Sequence, residues 1–415
     1  MKKPLLLTSV FVSLGGVMFL CGWFLDSGDR ERLKEDWTRD YRERPHPGKG
    51  PLVLGPDGYY WGGTMDSEAM PGYLYKMQPD GSDWQIVHTF RAEGSPPTGI
   101  GPSGTVVFDG VDSMLGSTVG DTRSIGRDTL YKVNVKTGVL TTLVKGPYFG
   151  NWPRARLVSD GRGNFWGTTV LGGKNQTGTI FKFHLATGVL TTVVEMPESP
   201  NSPIDLVDAL TSDGKDWWWG TTRRGGKENC GTIIKVKEDT GELVTVAGFT
   251  KDHGGCIPDG SLVSDGRGFL WGVCSGGRRG NATVYKVDAT TGALTTVVEF
   301  TGNWVSNLEA SPGAALVDDG QGFLWGCTQS GVSSEGGTVF KVDIASGALT
   351  TVVEFDEKQS RHKGWSPYAT LVNDGHGAFL GTTQEGGAKN AGTVFKVDVK
   401  TGVLTTLVEF GKVGP

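Results

Sequence analysis

Residues 316–355 read LVDDGQGFLWGCTQSGVSSEGGTVFKVDIASGALTTVVEF, and residues 371–410 read LVNDGHGAFLGTTQEGGAKNAGTVFKVDVKTGVLTTLVEF. The same text returns at 262–300 and 157–195, and more loosely three more times. A bulky residue followed by glycine marks every copy: Trp61-Gly62, Leu115-Gly116, Trp166-Gly167, Trp219-Gly220, Trp271-Gly272, Trp325-Gly326 and Leu380-Gly381. The steps are 54, 51, 53, 52, 54 and 55 residues. A second marker, an aromatic or aliphatic residue before lysine, falls at Tyr75, Tyr131, Phe181, Ile234, Tyr285, Phe340 and Phe395. A sequence copied at a fixed period is one supersecondary unit repeated, so the period decides the fold.

Each copy reads as four strands. In the third they are Ala155–Ser159, Phe165–Thr169, Thr179–His184 and Leu190–Glu195. Val, Thr, Phe and Trp suit the strands, while Asp-Gly and Thr-Gly suit the tight connections because glycine takes positive φ without strain. The first copy departs at its first turn, where Asp57-Gly58 reaches Tyr59 two residues early. Four strands in about 53 residues exceed one coil of a β-helix and match a propeller blade. The expected fold is all-β: a seven-bladed propeller of four-stranded blades, preceded by an N-terminal hydrophobic helix. The expected blades span about 51–90, 91–144, 145–195, 196–249, 250–300, 301–355 and 356–410. The recurring tryptophan is expected between blades. The last copy ends with its own fourth strand, so closure is expected to rest on packing of blade seven against blade one.

Residues 1–25 open with Lys2 and Lys3, and Pro4 to Leu25 carry no charge, a length that can cross a bilayer as a helix. We read 1–25 as an export signal retained as a membrane anchor through residues 4–25, with a cleaved signal or a lipidated Cys21 as alternatives. Residues 26–50 mix both charge signs and read as a linker, helical from Asp29 to Arg42. The propeller is expected over 51–415, in the periplasm or at the cell surface. The net charge of −5 gives no footprint for nucleic acid, and five cysteines are too few for a disulfide framework.

The pattern P-x-x-x-L-V-x-D-G-x-G-x-x-W-G-T-T-x-x-G-G-x-x-N-x-G-T-V-F-K-V…T-G-x-L-T-T-V-V-E-F, best kept at 153–195 and 367–410, resembles the Gloeobacter–Verrucomicrobia repeat family over about 51–410. The resemblance implies exported, surface-associated, propeller-like proteins without an assigned activity. Trp often stands here where that family commonly has Tyr before Gly.

In such a fold the short turns share one face, and the second-to-third loops and inter-blade links share the other. Function is expected in the long, variable set. Its links hold Trp152, Arg154, Trp304, His362 and Trp365, and its loops hold Arg223, Arg224, Arg278 and Arg279. Aromatic rings stack on sugars and arginines orient them, so these nine residues are the candidate ligand-binding set. The bland alternative is that the tryptophans cap blade junctions and the arginines are solvated. Cys230 and Cys256 lie in loops of neighbouring blades and could pair, whereas Cys274 and Cys327 replace strand threonines and are expected buried. The recurring Asp before Gly resembles a sialidase Asp box, but Asp160 stands six residues before Trp166 instead of five, which favours a structural turn. The D-x-x-T-G-x-L runs lack the aromatic signature of quinoprotein repeats. The histidines show no metal spacing, and no nucleophile elbow, phosphate loop or cofactor motif is present.

The leading reading is a non-enzymatic module that binds a glycan or a surface protein. The alternatives are a polysaccharide hydrolase or lyase, with Asp205, Glu309, Glu385, His253 and His362 as candidates, and a purely structural surface protein.

Overall fold

The computed structural model describes residues 46–47, 50–65, 72–90, 101–102, 105–119, 128–146, 150–153, 155–198, 201–206, 208–251, 255–276, 282–300, 314–330, 336–356 and 364–411. They form seven antiparallel sheets, each built from consecutive strands, and no helix occurs among them. The chain is a seven-bladed β-propeller. Met1–Arg42 is a separate unit from Glu43–Pro415, and the expected N-terminal helix lies outside the described residues. The linker expected to reach residue 50 ends sooner. His46–Pro47 already pairs with Met65 and Thr64 of blade one.

Blade three has strands Val158–Ser159, Asn164–Thr169, Thr179–His184 and Val189–Glu195. Its first strand is shorter than the expected Ala155–Ser159 because first strands are bulged in this protein. In blade five Asp259 faces Val273 and Val263 faces Trp271, so three residues oppose Gly272 alone. The bulge turns a leucine inward, and this explains the glycine after each tryptophan. A Cβ on Gly167 would lie 2.4 Å from the Phe181 ring and 2.9 Å from Leu157. Gly272 meets Tyr285 and Leu262, and Gly381 meets Phe395 and Leu371, in the same way. Glycine is required so that a cross-strand aromatic and the bulge leucine can close over the strand.

Second and third strands are buried almost throughout, while fourth strands alternate and form the outer rim. Trp61, Trp166, Trp219, Trp271 and Trp325 are at most 1% exposed. Each packs on the following blade: Trp271 with Leu316 and Leu324, and Trp166 stacked on Trp218 with centroids 5.2 Å apart. Burying such a ring contributes roughly 1.5–3 kcal/mol. The paired lysine lies over the ring, as Lys286 does 5.3 Å from Trp271. The turn aspartates are structural. Asp265 accepts the Arg267 and Phe269 amides, and its other oxygen accepts the Trp271 indole N–H at 3.0 Å. Among the described residues no strand of one chain end enters the sheet of the other. Blade seven meets blade one through a core of Leu380, Val394, Phe410, Leu52 and Tyr75.

Candidate functional site at the inner mouth of blades three to five

The bulged first strands of neighbouring blades bond to one another: Thr211 Oγ1 donates to the Leu262 carbonyl and the Ala315 amide to Thr370 Oγ1. They therefore line the axis of the ring, with the inter-blade links at their long-loop end. Register fixes the equivalences there. Leu206 faces Thr222 as Pro258 faces Cys274 and Pro367 faces Thr383. Among the described residues the preceding one is left-handed in four blades although none is glycine: Trp152 (φ 59°), Asp205 (65°), Ile257 (60°) and Ser366 (59°). Each such residue costs of order 1–3 kcal/mol.

Two residues after the proline position most copies carry Ala or Gly: Ala155, Gly260, Ala314 and Ala369. The next blade abuts there, and a Cβ on Gly260 would lie 2.5 Å from the Ala315 amide. Blade four places Asp208 at this point. Its carboxylate accepts the Ala209 amide at 2.7 Å and the Ser261 amide of blade five at 3.2 Å. Burial pushes the Asp208 carboxyl above the ordinary carboxylate range, against the pull of Arg156. Arg223 donates to Asp259 at 2.8 Å, and Asp259 holds the guanidinium charged although burial opposes it. The Arg223 Nε–H is buried with no acceptor. Arg224 lies 3.7 Å from Asp205.

The charges are sorted by depth. The side chains of Asp205 and Asp259 are 20% and 16% exposed and Asp208 is half-buried, whereas Arg224 is 53% exposed and Arg156 is also exposed. The mouth thus presents guanidinium groups over a floor of carboxylates. Among the described residues no group of three or more His, Cys, Asp and Glu could hold a metal ion.

Cys230 is bonded to Cys256, joining the second-to-third loop of blade four to the link that carries Asp259. Ile257, directly after Cys256, donates its amide to the Cys230 carbonyl at 3.0 Å and accepts the Ser275 amide at 3.0 Å. The left-handed residue is therefore held from both sides. Cys274 and Cys327 are buried thiols.

The structure brings Arg223, Arg224 and Asp205 together. Trp365 packs against the core shared by blades six and seven, and its indole N–H donates to Glu385 at 3.1 Å. Trp152 is half-buried on blade three, with its amide donating to Asp128. Arg154, Arg278, Arg279, Trp304, His362, His253 and Glu309 lie outside the described residues. Sequence reasoning passed over Arg156, Asp208 and Asp259. The available signal was an aspartate at a position that is small in the sister copies, hidden because Leu206 replaces the proline that would have set the alignment.

A model of the Gloeobacter/Verrucomicrobia repeat matches residues 46–282 and 268–414. No curated protein matches the chain. Among solved structures it is similar to a puromycin-hydrolyzing peptidase of Mycobacterium tuberculosis, with TM-score 0.56, 14% identity, and coverage of 89% of this chain but 54% of that one. It is similar to an oligogalacturonate lyase from Vibrio parahaemolyticus, with TM-score 0.53, 10% identity, and coverage of 86% and 92%. It is also similar to a prolyl endopeptidase, with TM-score 0.51, 13% identity, and coverage of 92% and 53%. At these identities the likeness is one of fold alone.

Proposed function

The chain belongs to the Gloeobacter/Verrucomicrobia repeat family, and on that premise we propose that it is an exported propeller that binds a glycan or a surface protein through its long-loop face. One observation carries this reading. The copies agree where a blade must fold and depart from one another at the inner mouth of blades three to five. There, Asp208 stands where sister copies have Ala or Gly, and Arg223 and Arg224 stand where blade three has Val170 and Leu171, at a cost in buried charge. Residues that lower stability and that the other blades do without are retained for a ligand. The buried Cys230–Cys256 bond supports an oxidising compartment. Anchoring through residues 4–25 is part of the proposal.

The full chain is screened on a glycan array beside the Arg223→Ala variant. Binding that the variant loses supports the glycan form. A silent array removes it and leaves the surface-protein form, which cross-linking on intact cells then tests. Protection of the propeller from protease until the inner membrane is breached would sink the exported placement.

A second reading, a polysaccharide hydrolase or lyase, is favoured by one feature. A carboxyl raised by burial at the inner mouth, where the Ala209 and Ser261 amides hold it, is suited to donate a proton. Release of reducing ends or unsaturated products from polysaccharide, abolished by Asp208→Asn, is its test.

A further inference from the structure

We propose that the inner mouth of blades three to five is a carboxylate-binding site, with Arg156 and Arg224 as the groups that grip uronate units of an anionic glycan. The inference rests on the binding reading above and adds the charge class of the ligand and the residues that select it. The chain as a whole is acidic, with a net charge of −5. An exposed cationic edge on such a protein is local and specific. Arg223 is committed inward, to Asp259 at 2.8 Å, and its side chain is only 26% exposed. Arg224 is different. Its contact with Asp205 is long, at 3.7 Å through Nε, and its side chain is 53% exposed. Arg156 is likewise exposed, on the neighbouring blade, one residue after Ala155, the blade-three counterpart of Asp208, and its charge reaches the Asp208 carboxyl.

Guanidinium is the group that matches a planar carboxylate, offering two parallel N–H donors. Asp259 holds Arg223 and Asp205 stands beside Arg224, each less exposed than the arginine it meets. A neutral sugar would gain little from exposed cations, whereas a uronate brings one carboxylate per residue along the chain. Two arginines on adjacent blades can therefore engage successive units. Val170 and Leu171 stand on blade three at the positions of Arg223 and Arg224, and Gln384 and Glu385 on blade seven, so the cationic edge is confined to one arc of the mouth.

The test is affinity electrophoresis and calorimetry of the full chain with four probes: polyglucuronate, its methyl ester, neutral dextran and dextran sulfate. The expected result is retention by polyglucuronate alone, with roughly 10–100-fold weaker binding for Arg224→Ala and for Arg156→Ala, the loss of one charged hydrogen-bonding group. Circular dichroism and melting of these surface variants should match the parent. Equal binding of the methyl ester or dextran overturns the carboxylate assignment while leaving the protein a glycan binder. Equal binding of dextran sulfate reduces the site to unspecific charge attraction and also overturns it. Binding of polyglucuronate unaffected by either variant overturns the location. Silence toward all four probes, with binding elsewhere on a glycan array, overturns this inference but not the broader reading.

Discussion

Asp57 stands four residues before Trp61, and its Oδ1 accepts the Trp61 indole N–H at 3.1 Å. Asp265 and Asp319 make the same bond to tryptophans six residues on. In blade one Gly55 occupies the turn position, and its amide meets the Tyr59 carbonyl at 2.8 Å. The carboxylate is supplied instead from within the turn. Blades one, five and six thus serve the indole with a carboxylate at either spacing, whereas Trp166 and Trp219 bury the same N–H without an acceptor.

The same carboxylate pairs with Lys76 at 3.1 Å, and both side chains are about 15% exposed. Asp57→Ala leaves the indole N–H without its acceptor and Lys76, stacked on two aromatic rings, without its ion-pair partner. A loss of about 1–3 kcal/mol is expected by urea unfolding, with Asp57→Asn milder because it keeps one acceptor oxygen.

Acid should weaken the ring through its turn aspartates. Burial alone would raise the Asp374 carboxyl, but Lys396 at 2.8 Å and the His376 and Ala378 amides hold it below the ordinary range. Asp288, Asp343 and Asp398 are held low by the amides of Thr291, Ser346 and Thr401. A depressed folded pKa gives stability that is fully present above the unfolded value, about 3.9 for Asp, and is lost as pH falls through the folded value. Melting temperature should be flat in this respect above about pH 5 and fall below pH 4, less steeply in Asp374→Asn.

Asp208 has the opposite sign. Its folded carboxyl is raised, so its ionised form opposes folding as pH rises through the folded value. Asp208→Ala restores the residue of the sister copies Ala155 and Ala369. It is expected to stabilise the protein by about 1 kcal/mol at pH 7, with the gain fading toward pH 4, while glycan binding falls. Differential scanning calorimetry at the two pH values reads the sign directly.

Cys230 and Cys256 enclose 26 residues of separation across a blade boundary. Replacing both with alanine should cost about 3 kcal/mol in chemical unfolding. It should also weaken ligand binding more than it weakens the remaining blades, since Ile257 and Asp259 follow directly on Cys256.

The blades were legible because every copied residue answers a local need. Asp before Gly closes a turn, Gly after Trp admits an aromatic ring, and Trp fills the space to the next blade. The mouth was not, because Arg156, Asp208 and Asp259 belong to three different copies and meet only around the axis. Trp152 and Trp365 looked equivalent in sequence as tryptophans shortly before proline. Register separates them by one residue: Trp365 faces Glu385 in the sheet, whereas Trp152 takes the left-handed position that Ser366 holds in blade seven. A one-residue offset sends the two side chains in different directions.

The turn between third and fourth strands leans on the outer strand of the blade before it. A Cβ on Gly241 would lie 2.6 Å from the Val193 carbonyl oxygen, and one on Gly292 2.9 Å from Val246. Gly81 of blade one meets Leu407 of blade seven in the same manner, at 2.6 Å. The seam between blades seven and one is therefore built like other junctions, and among the described residues no strand is threaded across it. Physically the ring has no first blade. New ends could be opened at another inter-blade link and the old ones joined, and such a circular permutant would rebuild the same closed ring.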